Sequence, residues 1–194
     1  MKYRIKISQA ITIILLLAAK PCSWTLFYAG MILALCGECI RIWSAGNLYK
    51  DKTLAVYGPY KMARNPLYIG SFLMAMGFAL VCFNAAYPWR SAALILAVLA
   101  GFKWVYNLQV AAEETHLYKL FGEAYASYKN SVPRYIPALG AFPEAAASNK
   151  FTLAQMLYNG EQQTIFGLVS IGALLGIEIA CNTTLSDLLR MLLH

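Results

Sequence analysis

Long apolar blocks separated by short polar stretches set the pattern of this chain. Five stand out, at about residues 5–19, 22–43, 67–83, 92–110 and 165–181. A helix crosses ~30 Å of hydrocarbon in ~20 residues, and most of these blocks approach that length. Pro21, residues 84–88, Pro133 and Pro137 punctuate them. The pattern predicts an all-α, polytopic membrane bundle of about five transmembrane helices. Lys2, Arg4 and Lys6 before the first block resemble a signal-peptide n-region. Lys20-Pro21 leads at once into another apolar block, however, so a retained helical hairpin is expected. Gly172 and Gly176 form a GxxxG in the last block, read as packing within the chain. Residues 185–193 alternate apolar and polar side chains at helical spacing, as a short interfacial helix would.

Charge orients the bundle. With the N-terminus in the cytoplasm, Lys50, Lys52, Lys61 and Arg64 of the second loop share that side with Lys119, Lys129, Arg134 and Lys150 of the fourth. The other side carries Lys20, Arg90 and Arg190. This is a positive-inside distribution. It accounts for a net charge of +7 without nucleic acid, for which no recognition motif is present. Composition agrees: 60% of residues are hydrophobic, 13% are charged, and mean hydropathy is +0.54. The five cysteines are odd in number and lie in apolar stretches, against a disulfide framework. Cys36 and Cys39 have redox-motif spacing but sit inside an apolar helix. With His116 and His194 the only histidines, no metal site is expected. The chain is read as one domain, 1–194, with core motifs over 37–137 and an extension over 138–194 holding one further span.

Two polar segments on the expected cytoplasmic side concentrate the chemistry. The first is Gly58-Pro59-Tyr60-Lys61-Met62-Ala63-Arg64-Asn65-Pro66-Leu67-Tyr68-Ile69-Gly70. Pro66 suits the first turn of a helix and Asn65 its N-cap. The free N–H groups of such a helix start favour anions. An ordinary capped loop would show the same pattern. In the second segment Lys103, Asn107 and Glu114 share a helix face, with Glu113 beside them. Polar stripes of this kind usually face a protein interior or cavity. The helix is expected to run on to Phe121 and stop at Gly122. Tyr125, Tyr128, Val132, Pro133, Arg134, Tyr135, Ile136 and Pro137 follow.

Taken together, Gly58-Pro59-Tyr60-x-x-x-Arg64-x-Pro66-x-Tyr68-x-Gly70 resembles the motif GPYxxxRHPxYxG. Glu113-Glu114-x-x-Leu117-x-x-x-Phe121-Gly122-x-x-Tyr125-x-x-Tyr128-x-x-x-Val132-Pro133-Arg134-x-Ile136-Pro137 resembles EExxLxxxFGxxYxxYxxxVxRxxP. Both motifs, one helical hairpin apart, characterise the isoprenylcysteine carboxyl methyltransferase family, to which membrane phospholipid methyltransferases are related. The resemblance implies a membrane enzyme using S-adenosylmethionine. It also implies a cytoplasmic cofactor pocket lined or shaped by Tyr60, Asn65, Pro66, Tyr68, Gly70, Glu113 and Glu114. Asn65 stands where the family has histidine; it keeps hydrogen bonding but cannot ionise.

The expected reaction is methyl transfer to a lipid-like or prenylated acceptor in the bilayer. A prenylcysteine-type carboxylate is already ionised and needs only a cation to hold it, such as Arg64 or Arg134. An amine, as in phospholipid N-methylation, would have to lose a proton, with Glu113 or Glu114 as helper. Arg64, Glu114 and Arg134 are therefore the candidate catalytic groups. From another class, a silent membrane scaffold would tolerate loss of Glu114 and bind no cofactor.

Overall fold

The computed structural model describes residues 20–138, 151–184 and 187, and every regular element among them is helical. The elements are α1 (Trp24–Gly46), a 3₁₀ turn at Gly58–Lys61, α2 (Pro66–Val81), α3 (Pro88–Phe121), α4 (Glu123–Ser131), α5 (Leu153–Tyr158) and α6 (Glu161–Cys181). Four of the five apolar blocks thus become helices, and the first block and all of the tail but Asp187 lie outside the described residues. By length and composition α1, α3 and α6 can cross a membrane. α2 is apolar but has 16 residues, about 24 Å at 1.5 Å per residue. Pro66 starts it and the chain breaks after Val81, so it is shorter than the expected span.

α1 and α2 form a hairpin whose seam is made of glycine. Gly37 meets Gly70, and one heptad away Gly30 meets Gly77. A Cβ on Gly37 would sit 2.5 Å from the Gly70 carbonyl oxygen, and a Cβ on Gly70 would sit 2.5 Å from that of Gly37. In lipid, helix association depends on such close approach because apolar burial gives little drive. α6 lies against the same hairpin. Leu175 packs with Val81, and Leu168 packs with Ala34 and Met74. Gly172 faces Met31 and Gly176 faces Phe27, so the GxxxG packs within the chain as expected. α3 exposes Trp89, Leu96, Trp104 and Leu108, a face suited to lipid.

Arg41 ties the three helices together at one end. Its guanidinium makes a bidentate pair with Glu161 of α6 (Nε–Oε1 2.6 Å, Nη2–Oε2 3.0 Å) and also donates to Ser71 of α2 and Thr164 of α6. Removing one partner of a buried pair strands the other's charge. Arg41→Ala is therefore expected to destabilise the bundle by about 3–5 kcal/mol, read as a lowered unfolding midpoint in detergent. α5 is docked at the same end. Asn159 donates to the carbonyls of Ala45 and Leu48, and Gln155 donates to that of Leu48. These bonds hold α5 against the C-terminal end of α1 and the turn after it.

Beyond α1 and α2 a small polar-rimmed head forms. Val56, Tyr125, Tyr128 and Val132 are its core, with Leu54, Tyr57, Leu117 and Phe121 around them. α3 makes this possible by its length. Its 34 residues rise about 51 Å, so residues 111–121 extend past the apolar stretch. Gly122, at φ +53, then ends the helix where expected and lets α4 turn back.

Candidate functional site

The two motif segments meet in this head, and Glu114 is where they join. Its carboxylate takes hydrogen bonds from Arg64 Nη2 (2.9 Å, to Oε1), Arg134 Nε (3.1 Å, to Oε1) and Arg134 Nη2 (2.9 Å, to Oε2). Lys129 Nζ lies 3.1 Å from Oε2. Glu114 is buried. Burial pushes its carboxyl up, but hydrogen bonds from Arg134 and Lys129 and the charge of Arg64 outweigh this and hold it below the usual 4.5. Three cations surround one carboxylate, so the cluster carries surplus positive charge. Arg64, Glu114 and Arg134, expected as reacting groups, are thus bonded to one another.

Backbone bonds lock the same junction. Arg64 N donates to Pro133 O (2.9 Å) and Ala138 N to Met62 O (2.9 Å). Arg64 Nη1 also donates to the carbonyls of Lys129 and Val132. The Tyr128 hydroxyl donates to Tyr60 O (2.8 Å). Asn65 is the N-cap residue of α2, as expected, but its side chain makes no capping bond. Its Nδ2 instead donates to Arg134 O (3.2 Å). That corrects the capping geometry read from the sequence: the side chain is turned so that its amide N–H meets a long-range carbonyl, and its oxygen does not cap the local N–H groups. Pro66 does occupy the first turn.

The remaining candidates divide between two faces of α2. Tyr68 points to α3, where its hydroxyl donates to Glu113 Oε1 (2.8 Å) and its ring meets Tyr106 edge-on at 4.6 Å. Phe102 stacks on Tyr106 at 4.1 Å, completing an aromatic wall. Gly70 faces α1, where it permits the contact with Gly37. Of the polar stripe on α3, only Glu114 is buried. Lys103 and Asn107 are exposed, and Asn107 accepts from the Tyr135 hydroxyl at 3.4 Å. Beside Glu114 an open groove of about 420 Å³ is lined by Ala111, Thr115, Tyr118, Lys119, Tyr125 and Lys129. The sequence marks Lys129 only as a loop cation and does not mark Tyr106. Lys129 lies inside the second motif but at a variable position, so only the fold reveals it.

Two polar atoms at this junction have no protein partner: the Tyr60 hydroxyl and the Nε–H of Arg64, both buried. Burial pushes the Tyr60 hydroxyl far up, so it remains a proton donor at neutral pH. Buried donors without acceptors are costly, and these two suit a ligand carrying oxygen or carboxylate acceptors.

Comparison with known proteins identifies the family of the chain. Residues 25–124, more than half of the chain, match the model of the phospholipid methyltransferase family. The protein-S-isoprenylcysteine O-methyltransferase of Schizosaccharomyces pombe is 32% identical over 95 residues, 49% of this chain and 37% of that protein. Its Rattus norvegicus counterpart is 29% identical over 130 residues, 61% of this chain and 43% of the relative. The cobalt-zinc-cadmium resistance protein CzcN of Cupriavidus metallidurans is 32% identical over 128 residues, 63% of this chain and 53% of the relative. The chain thus spans less than half the length of the first two relatives. No solved structure matches it. The chain belongs to the phospholipid methyltransferase family.

Proposed function

We propose that this chain is an integral membrane methyltransferase that transfers a methyl group from S-adenosylmethionine to a lipid-like acceptor, a prenylcysteine-type carboxylate. The observation that carries this is the Glu114 junction: surplus cationic charge, held between two segments that resemble the methyltransferase motifs. The relatives named as protein-S-isoprenylcysteine O-methyltransferases support the same acceptor. The active head is proposed to face the cytoplasm, on the charge asymmetry of the loops.

The orphaned Tyr60 hydroxyl and Arg64 Nε–H fit the cofactor's polar end, and the Tyr68–Tyr106–Phe102 wall offers aromatic surface beside it. S-adenosylmethionine supplies an electrophilic methyl on a sulfonium, so the protein's task is mainly positioning. Glu114 acts as a positioning residue: it fixes the side chains of Arg64 and Arg134. These two guanidiniums then hold the acceptor carboxylate by charge-assisted hydrogen bonds. Asn65 and Tyr128 fix the backbone that carries them. Glu114 itself is a poor proton acceptor, because its pKa is held down. An amine acceptor, which must be deprotonated, is correspondingly less well served.

Labelled S-adenosylmethionine, offered to membranes with prenylcysteine and phospholipid acceptors, tests the reading. Label in the prenylcysteine ester supports it. Label confined to phospholipid moves the acceptor to the amine class, and no transfer to either refutes it.

Asn65 gives a milder prediction. Asn65→His, restoring the family residue, exchanges one neutral hydrogen bond. Cofactor affinity should change by roughly two- to twelvefold at most, while the pH dependence between 5 and 8 should change more. A parent protein that binds nothing, beside an Asn65→His variant that binds clearly, would contradict this.

A further inference from the structure

Glu38 of α1 takes no part in the site described so far. Both of its carboxylate oxygens are buried and meet no hydrogen-bond donor, and 4% of the side chain is exposed. The cation beside it is Arg41, whose Nε lies 3.9 Å from Glu38 Oε2. Arg41 has no N–H to spare. Nε and Nη2 serve Glu161, Nη2 also serves Thr164 Oγ1, and Nη1 serves Ser71 Oγ and Leu67 O. A guanidinium has five such donors. Glu161 therefore takes the donors of Arg41, and an ionised Glu38 is a charge inside an apolar bundle whose nearest cation, 3.9 Å away, gives it no hydrogen bond. Such a charge is strongly disfavoured unless a cation or donor meets it.

Its surroundings point to the methyl-donor site. Arg41 rests on the first turns of α2: it bonds Leu67 O and Ser71, and its Cγ would be 2.6 Å from a Cβ on Gly70. Glu38 thus lies on the α1 side of the helix start that carries the proposed cofactor segment.

We propose that Glu38 is the internal counter-charge for the sulfonium of the methyl donor, and that it makes the site prefer the charged donor over the neutral product. The inference rests on the cofactor reading above. When the methyl carbon bonds to the acceptor carboxylate oxygen, the carbon–sulfur pair returns to sulfur. The sulfonium becomes a neutral thioether and the carboxylate becomes a neutral ester. Glu38 then loses its partner, and the spent donor is held less tightly. A binding term present for the donor and absent for the product makes the spent donor the weaker competitor for the site.

Calorimetric titration of the purified chain in detergent tests this, with S-adenosylmethionine and S-adenosylhomocysteine as probes. The parent should prefer the methyl donor by about tenfold or more, the scale of one partly screened charge pair. Glu38→Gln, equal in shape, should lose that preference while binding S-adenosylhomocysteine within about twofold of the parent, which also reports that it is folded. Glu38→Asp, which keeps the charge, should retain part of the preference. Equal weakening of both ligands in Glu38→Gln, or an unchanged preference, overturns the proposal. Loss of both ligands in both variants assigns Glu38 to bundle packing and overturns it equally. A parent that binds neither probe fails earlier, at the cofactor reading itself.

Discussion

Glu114→Ala is expected to cut methyl transfer by at least about a hundredfold, the scale of effect that small misplacements of a reacting group produce. The variant removes the carboxylate that pairs with Arg64, Lys129 and Arg134. The three cations then repel, and neither arginine keeps its position. A fold penalty of about 3–5 kcal/mol should accompany the loss, as it does when one partner of a buried pair is removed. Activity and unfolding midpoint, both measured in detergent, check the two parts. Acid offers a separate check. The folded pKa of Glu114 lies below its ordinary value of 4.5, so its contribution to stability is complete above about 4.5 and is lost as pH falls through the folded value. The parent should lose stability over that acid range, and Glu114→Gln should lack this component. An Ala variant with parental activity would show that the junction does not organise the site.

Gly37→Leu is expected to prevent recovery of folded protein. Even the first carbon of the new side chain would lie 2.5 Å from the Gly70 carbonyl oxygen and 2.9 Å from Met74 N. Both are backbone atoms of α2, which cannot rotate aside. The hairpin must open, and α2 carries residues 66–70 of the first motif with it. Overpacking a core costs about 1–3 kcal/mol when side chains can adjust, and here they cannot. Gly101→Leu is the control, since a Cβ at Gly101 meets nothing within 4 Å. Size-exclusion profiles after extraction separate the cases: aggregate for Gly37→Leu and a monodisperse peak for Gly101→Leu. Equal yields would mean that the glycine seam is not what holds α1 to α2.

Much of this was legible in the sequence because it depends on local signals. Apolar blocks give α1, α3 and α6, Pro66 marks the start of α2, and Gly122 marks the end of α3. The two motif segments also carried enough polar residues to mark the site. What escaped depends on partners distant in the chain. α4 and α5, with nine and six residues, are too short to hold helical structure without tertiary packing. They came from stretches that read as loop. Arg41 and Glu161 are 120 positions apart, and no periodicity links them. The Asn65 side chain has a strong local preference for capping, yet it is claimed by Arg134 O across the junction. The stripe of Lys103, Asn107 and Glu114 was real as a helix face. However, α3 leaves the bundle along its length, so only Glu114 is buried.

S-adenosylmethionine is expected to bind where the two motif segments meet. Hydrogen exchange of the purified chain, with and without S-adenosylmethionine, measures this directly. Cofactor-dependent protection is expected of amides in residues 58–70 and 107–137, with little change in α5 and the outer half of α6. Absence of protection in both motif segments at saturating cofactor, or protection confined to other regions, would contradict it.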